Sequence, residues 1–347
     1  MPFLAAESGE SPAAIAAALA GKPIRDVASV SQSGNSRVFR VTTDDAVFAL
    51  KLYPPHTVDP RDRLGAESTA LGFMERNRLG PVPRLLAADR GHNAALLEWI
   101  DGERVLAPTG KDVDAALAFL ERLHALRDAA GAGTLSLASE ACLSAAEVEA
   151  QIARRFSRLA ESAIDRPALR SELDRMTTAT AAAVARGHRA YAEIGLDWDT
   201  AVDPVVRTLS PSDFGFHNAL RRADGSLVFL DFEYFGWDDP AKLVCDVLLH
   251  PGMDLDESLG LRFLAGARAI YGADPHFAGR VASLFPLFGL RWCGILLNEF
   301  LPEKWAARAH AGESNIGAAQ KRQLAKATAL LERLLDPRDA IQQAFHD

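Results

Sequence analysis

The sequence predicts a two-lobed α+β protein, with an N-terminal lobe over residues 1–100 and a larger, mainly helical C-terminal lobe over residues 101–347. The chain of 347 residues is long for one compact core, so two lobes are the better expectation. The first hundred residues contain short runs of β-branched and aromatic residues. After Asp101 and Gly102 the apolar residues follow helical spacing instead.

Five short runs predict the sheet of the N-terminal lobe. They lie at residues 27–32, 37–43, 46–53, 82–89 and 94–100. Turn-forming residues separate them, which favours antiparallel pairing. A helical pattern interrupts the strands at residues 61–78, and a short helix over residues 11–20 precedes them. The lobe is therefore expected to be a five-stranded antiparallel sheet with one inserted helix.

Helical spacing dominates the C-terminal lobe. It covers residues 112–127, 145–160 and 167–193, and it returns in several segments after Asp239. Two strand-like runs, residues 205–210 and 227–232, flank a polar segment between them. No internal repeat interrupts this pattern.

Composition excludes several classes of protein. Apolar residues make up 48% of the chain and charged residues 24%, as in soluble globular proteins. The net charge of -8 and the scattered Lys and Arg argue against a nucleic-acid surface, because phosphate backbones need clustered cations. We therefore expect no nucleic-acid partner.

The cysteines and the N-terminus indicate an ordinary intracellular protein. Cys142, Cys245 and Cys293 have no metal-site spacing and mostly apolar or small neighbours, so we expect buried free thiols. The first residues lack a basic region followed by an apolar one, and no apolar run of membrane-spanning length is evident. The expected location is cytoplasmic, without a membrane.

Two carboxylates carry the functional prediction. Asp213 is followed five residues later by Asn218, which is the catalytic-loop spacing of kinases, although this spacing alone also fits an Asx turn. Asp231 ends an apolar run, and a hairpin between them can return Asp231 beside Asn218. Oxygen ligands of this kind suit Mg²⁺. Glu233, two residues on, is expected on the same strand face as Asp231, as a supporting group or a further ligand.

The stretch from Asp213 to Pro240 resembles the aminoglycoside phosphotransferase and choline kinase families, which have a protein-kinase-like fold. Their H-G-D-x-x-x-x-N, I-D-[FW]-[ED] and G-D-P-A patterns correspond to P-S-D-F-G-F-H-N, L-D-F-E and D-D-P-A here. The resemblance implies that Asp213 is the catalytic aspartate and that Asn218 and Asp231 hold Mg²⁺. Asp239 is expected to cap a helix. The His and Gly before the family's catalytic Asp are Pro211 and Ser212 here, which puts the rigidity of the loop in question.

The N-terminal lobe is expected to bind ATP or GTP. Gly34, Asn35 and Ser36 lie in a small-residue turn that resembles the family's phosphate loop, although an ordinary hairpin turn is equally compatible. Lys51 stands alone in an apolar strand, where an ammonium needs a partner. Glu67, on the following helix, is the expected partner, with Glu75 of the same helix as the alternative, and the pair would hold the nucleotide phosphates.

The run that ends at Gly102 resembles the hinge between kinase lobes. There the Glu98 carbonyl and the Ile100 N–H are expected to bind the purine edge. His124, in an L-x-x-L-H segment of the next helix, is interpreted as a structural residue, and neither His217 nor His250 has a spacing that predicts a metal site.

A small-molecule hydroxyl is the expected acceptor, because no long activation segment follows Asp231. The acceptor could be an amino sugar, an amino alcohol or a sugar. Asp254, Asp256, Glu257 and the stretch over residues 291–300 could hold an amine, but core packing and solvated acids explain them equally well. The alternatives are a nucleotide-binding module with little turnover and a peptide kinase, and the oligomeric state is open.

Overall fold

A computed structural model describes residues 10–31, 36–56, 59–253, 255–305 and 315–345. Gly34, Asn35 and Asp254, which carry sequence predictions, lie outside these residues.

The chain divides into two compact units. The first contains residues up to 104 together with residues 219–235, and the second contains residues 105–218 and 236–347. The sequence-based division at residue 100 assigns 219–235 to the C-terminal lobe. In the structure this segment groups with the N-terminal residues instead.

A five-stranded antiparallel sheet forms most of the first unit, as predicted. Its strands occur in the spatial order β1-β2-β3-β5-β4. They are β1 Asp26–Ser31, β2 Arg37–Thr42, β3 Val47–Leu52, β4 Leu85–Asp89 and β5 Ala94–Glu98. The long connection between β3 and β4 contains the predicted helix, α2 Arg63–Arg76.

Strand β3 at the centre of the sheet separates an apolar face from a charged one. Leu50 is fully buried in an apolar cluster with Phe39, Leu96 and Ile15. Ile15 comes from helix α1, Pro12–Ala20, which begins at the Ser11 cap and ends at Gly21. Because side chains alternate along a strand, Lys51 points to the face opposite Leu50. The alternation of side chains along β3 therefore buries Leu50 in the apolar core and directs the Lys51 ammonium to the opposite face.

A second, smaller sheet in the first unit joins three short strands in the order β6-β8-β9. These are β6 Glu103–Arg104, β8 Ala219–Arg221 and β9 Leu227–Phe229. The hairpin of β8 and β9 pairs Ala219 with Phe229. The predicted strand over residues 227–232 is therefore shorter than expected, and it ends before Asp231.

Helices form most of the second unit. Their bounds are α3 Gly110–Ala125, α4 Ala145–Ser162, α5 Pro167–Glu193, α6 Pro240–Leu249, α7 Glu257–Tyr271, α8 Phe277–Leu296, α9 Ile316–Leu335 and α10 Ala340–Gln343. Strands β7 Thr208–Ser210 and β10 Gly236–Asp238 pair antiparallel. Residues 205–210 were predicted as a strand, but a 3₁₀ turn at Pro204–Val206, capped by the Asp203 side chain, takes up the first part.

One segment has the composition of a membrane-spanning helix. Phe277–Phe300 has a mean hydropathy of 1.4 over its most apolar window, a length and apolarity that the sequence analysis did not expect. In the structure 67% of that window is buried inside the protein, as in the core helix of a soluble protein. The segment is therefore weak evidence for a membrane.

Asp239 caps helix α6, as predicted. Its side chain accepts a hydrogen bond from the Ala241 N–H at 2.9 Å, and both carboxylate oxygens accept from the Arg280 guanidinium at 2.9 and 3.0 Å. Asp239 and Arg280 are both buried. Arg280 also contacts Asp274 at 2.6 Å, so loss of Asp239 would leave the buried guanidinium with one of its two carboxylate partners.

Replacing Asp239 by Ala is expected to lower the free energy of unfolding by about 2–4 kcal/mol, since the change removes a helix cap and one of the two carboxylates that pair with Arg280. Asp256→Ala is the matched control. Asp256 caps α7 through the Leu259 N–H, but it is exposed, and its loss should cost about 1 kcal/mol. Urea unfolding of both variants measures the difference. Equal losses would show that the Arg280 pair contributes nothing.

Candidate active site

The Lys51 ammonium lies within a cluster of three carboxylates in the first unit. Its Nζ is 2.6 Å from Glu67 Oε2, 2.7 Å from Asp231 Oδ1 and 3.1 Å from Glu233 Oε2. The side chains of Lys51, Glu67 and Glu233 are almost fully buried, whereas that of Asp231 is 35% exposed. The predicted Lys51–Glu67 ion pair is present, and Asp231 is the member of the cluster that reaches solvent.

Further hydrogen bonds fix the two buried glutamates. The Tyr53 hydroxyl donates to Glu67 Oε2 at 2.6 Å, and the Phe232 N–H donates to Glu67 Oε1 at 3.2 Å. Glu233 accepts from the Ser36 hydroxyl at 2.8 Å and pairs with Arg63. Both glutamates are therefore held on two sides, and neither can turn away from Lys51 without losing a second partner.

Charge in this cluster is not balanced. The carboxylates of Asp59, Glu67, Asp231 and Glu233 face three cations, because Lys51 is joined by Arg63 and by Arg61, which both bind Asp59. Neither Asp59 nor the two arginines was assigned a role from the sequence. One negative charge remains in excess when all seven groups are ionised.

The excess negative charge falls on Asp231. Burial raises the pKa of Asp231 to about 7, with Glu233 and Glu67 adding to the rise and Lys51 opposing it. Burial also opposes the charge on Glu233, but Lys51 and Arg63 outweigh it and lower its pKa. Burial alone would lower the pKa of Lys51, yet Asp231, Glu67 and Glu233 hold it well above its ordinary value. Asp231 is thus the group with the greatest tendency to bind a further cation.

Oxygen donors suited to a divalent ion are present, but Lys51 limits where an ion could lie. Oxygens of Glu67, Asp231 and Glu233 lie within 4.8 Å of one another. The Lys51 Nζ occupies the space among them, so an ion could not contact all three without displacing it. The exposed side of Asp231 is the part of the cluster that fits Mg²⁺.

Asp231 does not lie on a strand. Its φ of 66° is in the left-handed region, and the strand before it ends at Phe229. The prediction that Glu233 shares a strand face with Asp231 is therefore wrong, because the backbone turns at Asp231. Glu233 instead contacts Ser36, Arg63 and Lys51.

A second group of polar residues surrounds Asp213 in the second unit. Asp213 Oδ1 lies 3.0 Å from His217 Nε2 and 3.5 Å from His250 Nε2. The Asn218 side-chain amide donates to the Asp213 backbone carbonyl at 2.9 Å. Burial would raise the pKa of the Asp213 carboxyl, but the hydrogen bond from His217 and the charges of both histidines lower it to about 2. Asp213 is therefore ionised at any physiological pH.

The loop before Asp213 has an unusual backbone. Ser212, which replaces the Gly of the resembling families, has a φ of 66°, a value that glycine adopts more readily than serine. Its N–H donates to Ser210 Oγ at 3.0 Å, and its own hydroxyl donates to the Ser139 carbonyl at 3.2 Å. These bonds hold the loop where the family pattern has His and Gly.

Sequence reasoning considered His217 and His250 only as metal ligands and did not predict their contacts with Asp213. His217 is four residues from Asp213, and a 3₁₀ turn at Phe216–Asn218 brings it back to the carboxylate. That spacing is a signal that could have been used. His250 follows helix α6 and reaches Asp213 only through tertiary packing, so no local pattern predicts it.

The remaining residues singled out from the sequence are Ser36, Glu98, Ile100 and His124, and their contacts differ. Ser36 is buried against Glu233. Glu98 ends β5, where its N–H donates to the Arg84 carbonyl at 2.9 Å, and the buried Ile100 follows two residues later. His124 contacts Thr208 at 3.0 Å, and burial lowers its pKa to about 4, in keeping with a structural residue.

Several of the acceptor-binding candidates have structural partners. Arg291 is buried, and its guanidinium contacts Gln151, Asp246 and Glu140. Glu299 is buried as well. These two residues are therefore part of the core of the second unit.

Comparison with known proteins identifies the family. Residues 27–285 match the phosphotransferase enzyme family. A search of curated proteins finds no match. Solved structures with the same fold include a Plasmodium vivax ethanolamine kinase, with 12% identity and a TM-score of 0.56, covering 91% of this chain and 84% of that one.

Two further structures show the same architecture. The choline kinase LicA from Streptococcus pneumoniae has 14% identity and a TM-score of 0.55, with coverage of 89% of this chain and 94% of that one. The spectinomycin phosphotransferase APH(9)-Ia, in complex with ADP and spectinomycin, has 12% identity and a TM-score of 0.57, with coverage of 94% of each chain. At these identities the likeness establishes the protein-kinase-like fold alone. The match over residues 27–285 establishes more, and the chain belongs to the phosphotransferase enzyme family.

Proposed function

We propose that this phosphotransferase moves the γ-phosphate of ATP to a hydroxyl of a small molecule, with Asp213 as the catalytic aspartate and Asn218 and Asp231 as ligands of Mg²⁺. The observation that carries the proposal is the Lys51 ammonium, buried among Glu67, Asp231 and Glu233. A phosphotransferase needs a fixed cation for the donor phosphates and an oxygen ligand for the metal.

Lys51 is the proposed phosphate ligand. Glu67 fixes its ammonium from one side at 2.6 Å, and the Tyr53 hydroxyl holds Glu67 in turn. Its charge is retained at all working pH values, because the carboxylates raise its pKa. A pre-positioned ammonium of this kind stabilises negative charge on a phosphate without rearrangement. Ser36, with Gly34 and Asn35 before it, is proposed to approach the same phosphates.

Asp231 is the proposed principal metal ligand. Its carboxylate is the exposed member of a cluster with excess negative charge, and a divalent cation would remove that excess. Asn218 immediately precedes β8, whose first residue, Ala219, pairs with Phe229 of β9, two residues before Asp231. The resemblance of P-S-D-F-G-F-H-N and L-D-F-E to the family patterns supports a shared role for Asn218 and Asp231. When bound, Mg²⁺ would neutralise the phosphate charge and orient the γ-phosphate.

Asp213 is proposed to orient the acceptor hydroxyl and to receive its proton as the phosphorus–oxygen bond forms. A carboxylate with a pKa of about 2 is a weak base, so its main contribution is orientation and electrostatic stabilisation. The contacts from His217 and His250 are both made to Oδ1 of the Asp213 carboxylate. The adenine is proposed to bind the backbone at Glu98 and Ile100.

Small molecules are the proposed acceptors. Only residues 232–239 separate Asp231 from helix α6, which begins at Pro240, and this leaves no room for a long peptide-docking segment. The structures with the same fold include kinases named for ethanolamine and choline and a phosphotransferase named for spectinomycin. An amino alcohol, an amino sugar or a sugar is therefore the class to test, and the cytoplasm, where ATP is available, is the proposed location.

Asp213→Asn should lower the rate of phosphate transfer by about 10²–10⁴-fold, because a neutral amide lacks the negative charge that orients the acceptor hydroxyl and stabilises its developing positive charge. The Kd of the nucleotide, measured by isothermal titration calorimetry with Mg-ADP, should stay within about twofold. Asp231→Asn should raise the Kd of Mg-ADP by at least about tenfold, and it should also lower the rate of transfer. Transfer from radiolabelled ATP to a panel of amino alcohols, amino sugars and sugars measures the rate.

Asp224→Asn is the matched control for both variants. Asp224 is exposed in the turn between β8 and β9, where its side chain accepts from Ser226. Its substitution should change neither the rate nor the Kd. Transfer at the wild-type rate by the Asp213 and Asp231 variants would contradict the proposed roles.

Binding of Mg-ADP should weaken as the pH falls. Asp231 must be ionised to hold Mg²⁺, and its pKa is about 7 in the free protein, so its carboxylate is mostly charged at pH 8 and mostly protonated at pH 6. The Kd should therefore be about tenfold higher at pH 6 than at pH 8. Phosphate groups of the nucleotide also titrate in this range. Asp231→Asn isolates the contribution of the protein, and an equal pH dependence in the variant would contradict the assignment.

A further inference from the structure

Two stacked imidazole rings contact one oxygen of the Asp213 carboxylate. The rings of His217 and His250 are nearly parallel, at 7°, with centroids 3.8 Å apart. Their Nε2 atoms lie 3.0 and 3.5 Å from Asp213 Oδ1. Since both nitrogens reach the same oxygen from adjacent rings, Oδ1 cannot rotate away without losing both contacts.

The hydrogen bonds of His250 determine its tautomer. The Gly252 N–H donates to His250 Nδ1 at 2.9 Å, so Nδ1 carries a lone pair and no proton. Burial and the neighbouring His217 lower the pKa of His250 to about 4, although Asp213 and Asp246 oppose this, so the ring is neutral near pH 7. Its one proton is therefore on Nε2, the nitrogen that faces Asp213.

A metal ion is the competing explanation for this group. The donor atoms of Asp213, His217 and His250 lie within 4.8 Å of one another, as the ligands of an ion would. A metal bound at His250 Nε2 would need a lone pair there. The proton would then move to Nδ1, where the Gly252 N–H already donates. The geometry therefore favours an Nε2–H of His250 that faces Asp213 over a metal site.

Packing holds His250 on its other sides. The ring lies edge-on to Trp292, with centroids 4.5 Å apart and an angle of 83°. Trp292 Nε1 donates to Asp246 Oδ1 at 2.8 Å, and Asp246 lies 3.1 Å from the buried Lys242. His250 thus has a fixed ring plane and a fixed tautomer.

The turn that carries His217 is similarly constrained. The Phe216 N–H donates to Met253 Sδ at 3.1 Å, and the Asn218 N–H donates to the Gly215 carbonyl at 3.0 Å. A Cβ at Gly215 would lie 2.2 Å from Met253 Sδ and 2.8 Å from the His217 ring. Glycine at this position therefore allows the His217 ring to approach.

We propose that His217 and His250 are positioning residues, which hold the carboxylate of Asp213 in its reactive orientation, His217 through an Nε2–H hydrogen bond to Oδ1 and His250 through the longer contact of its Nε2–H with the same oxygen. This inference rests on the proposed role of Asp213. It assigns a function to His217, in the loop that has Pro211 and Ser212 in place of the family's His and Gly, and to His250, which follows helix α6. The histidines act through Asp213, so their loss should affect turnover and leave nucleotide binding unchanged.

The tautomers can be measured without an acceptor. Long-range ¹H–¹⁵N NMR of ¹⁵N-histidine-labelled protein distinguishes Nε2–H from Nδ1–H, and the His217→Ala and His250→Ala spectra assign the two rings. The expected result is Nε2–H for both rings near pH 7. An Nδ1–H tautomer at either ring would overturn the proposal for that histidine.

Kinetics test the consequence. With the best acceptor of the panel, or with water as acceptor in Mg-ATP hydrolysis if none is found, His250→Ala and His217→Ala should each lower kcat by about 10²-fold. The KM for ATP should stay within about twofold. His250→Gln, whose amide can donate from nearly the position of Nε2, should recover most of the rate, and added imidazole should partly restore His250→Ala. His188→Ala is the matched control, because His188 also stacks on an aromatic ring, that of Trp198, but is exposed on α5.

Comparison with Asp213→Asn separates this proposal from the one on which it rests. If Asp213→Asn abolishes transfer while both histidine variants keep more than half of the wild-type kcat, the positioning role is wrong and the proposed function stands. If Asp213→Asn retains transfer, the proposed function fails first. In the Asp213→Asn background, His250→Ala should cause no further loss. A further loss as large as in the wild type would show that His250 acts independently of Asp213, and would overturn the proposal.

Discussion

The first unit depends on the burial of one ammonium group. Lys51 lies on the central strand of the sheet, where removing its charge from water costs several kcal/mol unless partners replace the water. Glu67, Asp231 and Glu233 are those partners, and they come from helix α2 and from the segment that follows β9. Residues 219–235 therefore have to pack with the N-terminal sheet, although more than a hundred residues separate them from it in sequence.

The second unit also contains a buried lysine paired with carboxylates, but none of these carboxylates is exposed to the extent that Asp231 is. Lys242 lies 2.9 Å from Asp238 and 3.1 Å from Asp246, and all three side chains are buried. Burial raises the pKa of Asp238 to about 6, with Lys242 opposing the rise. Unlike Asp231, Asp238 has no exposed surface, so this group can stabilise the unit but cannot bind a ligand. Exposure of one carboxylate is what distinguishes the Lys51 cluster.

Local patterns in the sequence were sufficient for most of the fold. The five strands of the main sheet and the bounds of α2, α4 and α5 follow from spacing and turn residues, because hydrophobic alternation and helical periodicity are properties of short segments. The Lys51–Glu67 pair was also predictable, since a lone lysine in an apolar strand requires a partner and a glutamate follows on the next helix. Division of the chain into units was less accessible, because it depends on contacts over long sequence separations.

The polar partners of the site were harder to predict. His250 reaches Asp213 because helix α6 ends beside it, and Arg63 reaches Glu233 across much of the sequence. Neither contact produces a periodic pattern in the sequence from which it could be predicted. The placement of Glu233 on a strand face with Asp231 was wrong because the alternation rule assumes a continuing strand, whereas the chain turns at Asp231. Side-chain partners set by tertiary packing are thus the part of the site that spacing does not reveal.

Backbone strain lies at Asp231, the proposed metal ligand, and beside Asp213, the proposed catalytic aspartate. Ser212, next to Asp213, and Asp231 itself both have a φ of 66°, a conformation that costs of order 1 kcal/mol or more for residues other than glycine and persists only where neighbouring contacts enforce it. At Asp231 the enforcing residue is Glu67, since one of its oxygens holds Lys51 and the other accepts from the Phe232 N–H.

At Ser212 the enforcing contacts come from the serine itself, through its hydroxyl to Ser139 and its N–H to Ser210. A glycine would adopt this backbone with less strain but could not make the hydroxyl contact. Ser212 therefore lacks the conformational freedom of a glycine but makes a hydroxyl hydrogen bond that a glycine cannot make. The departure from the family pattern at this position is compensated within the loop, so it gives no reason to expect an inactive enzyme.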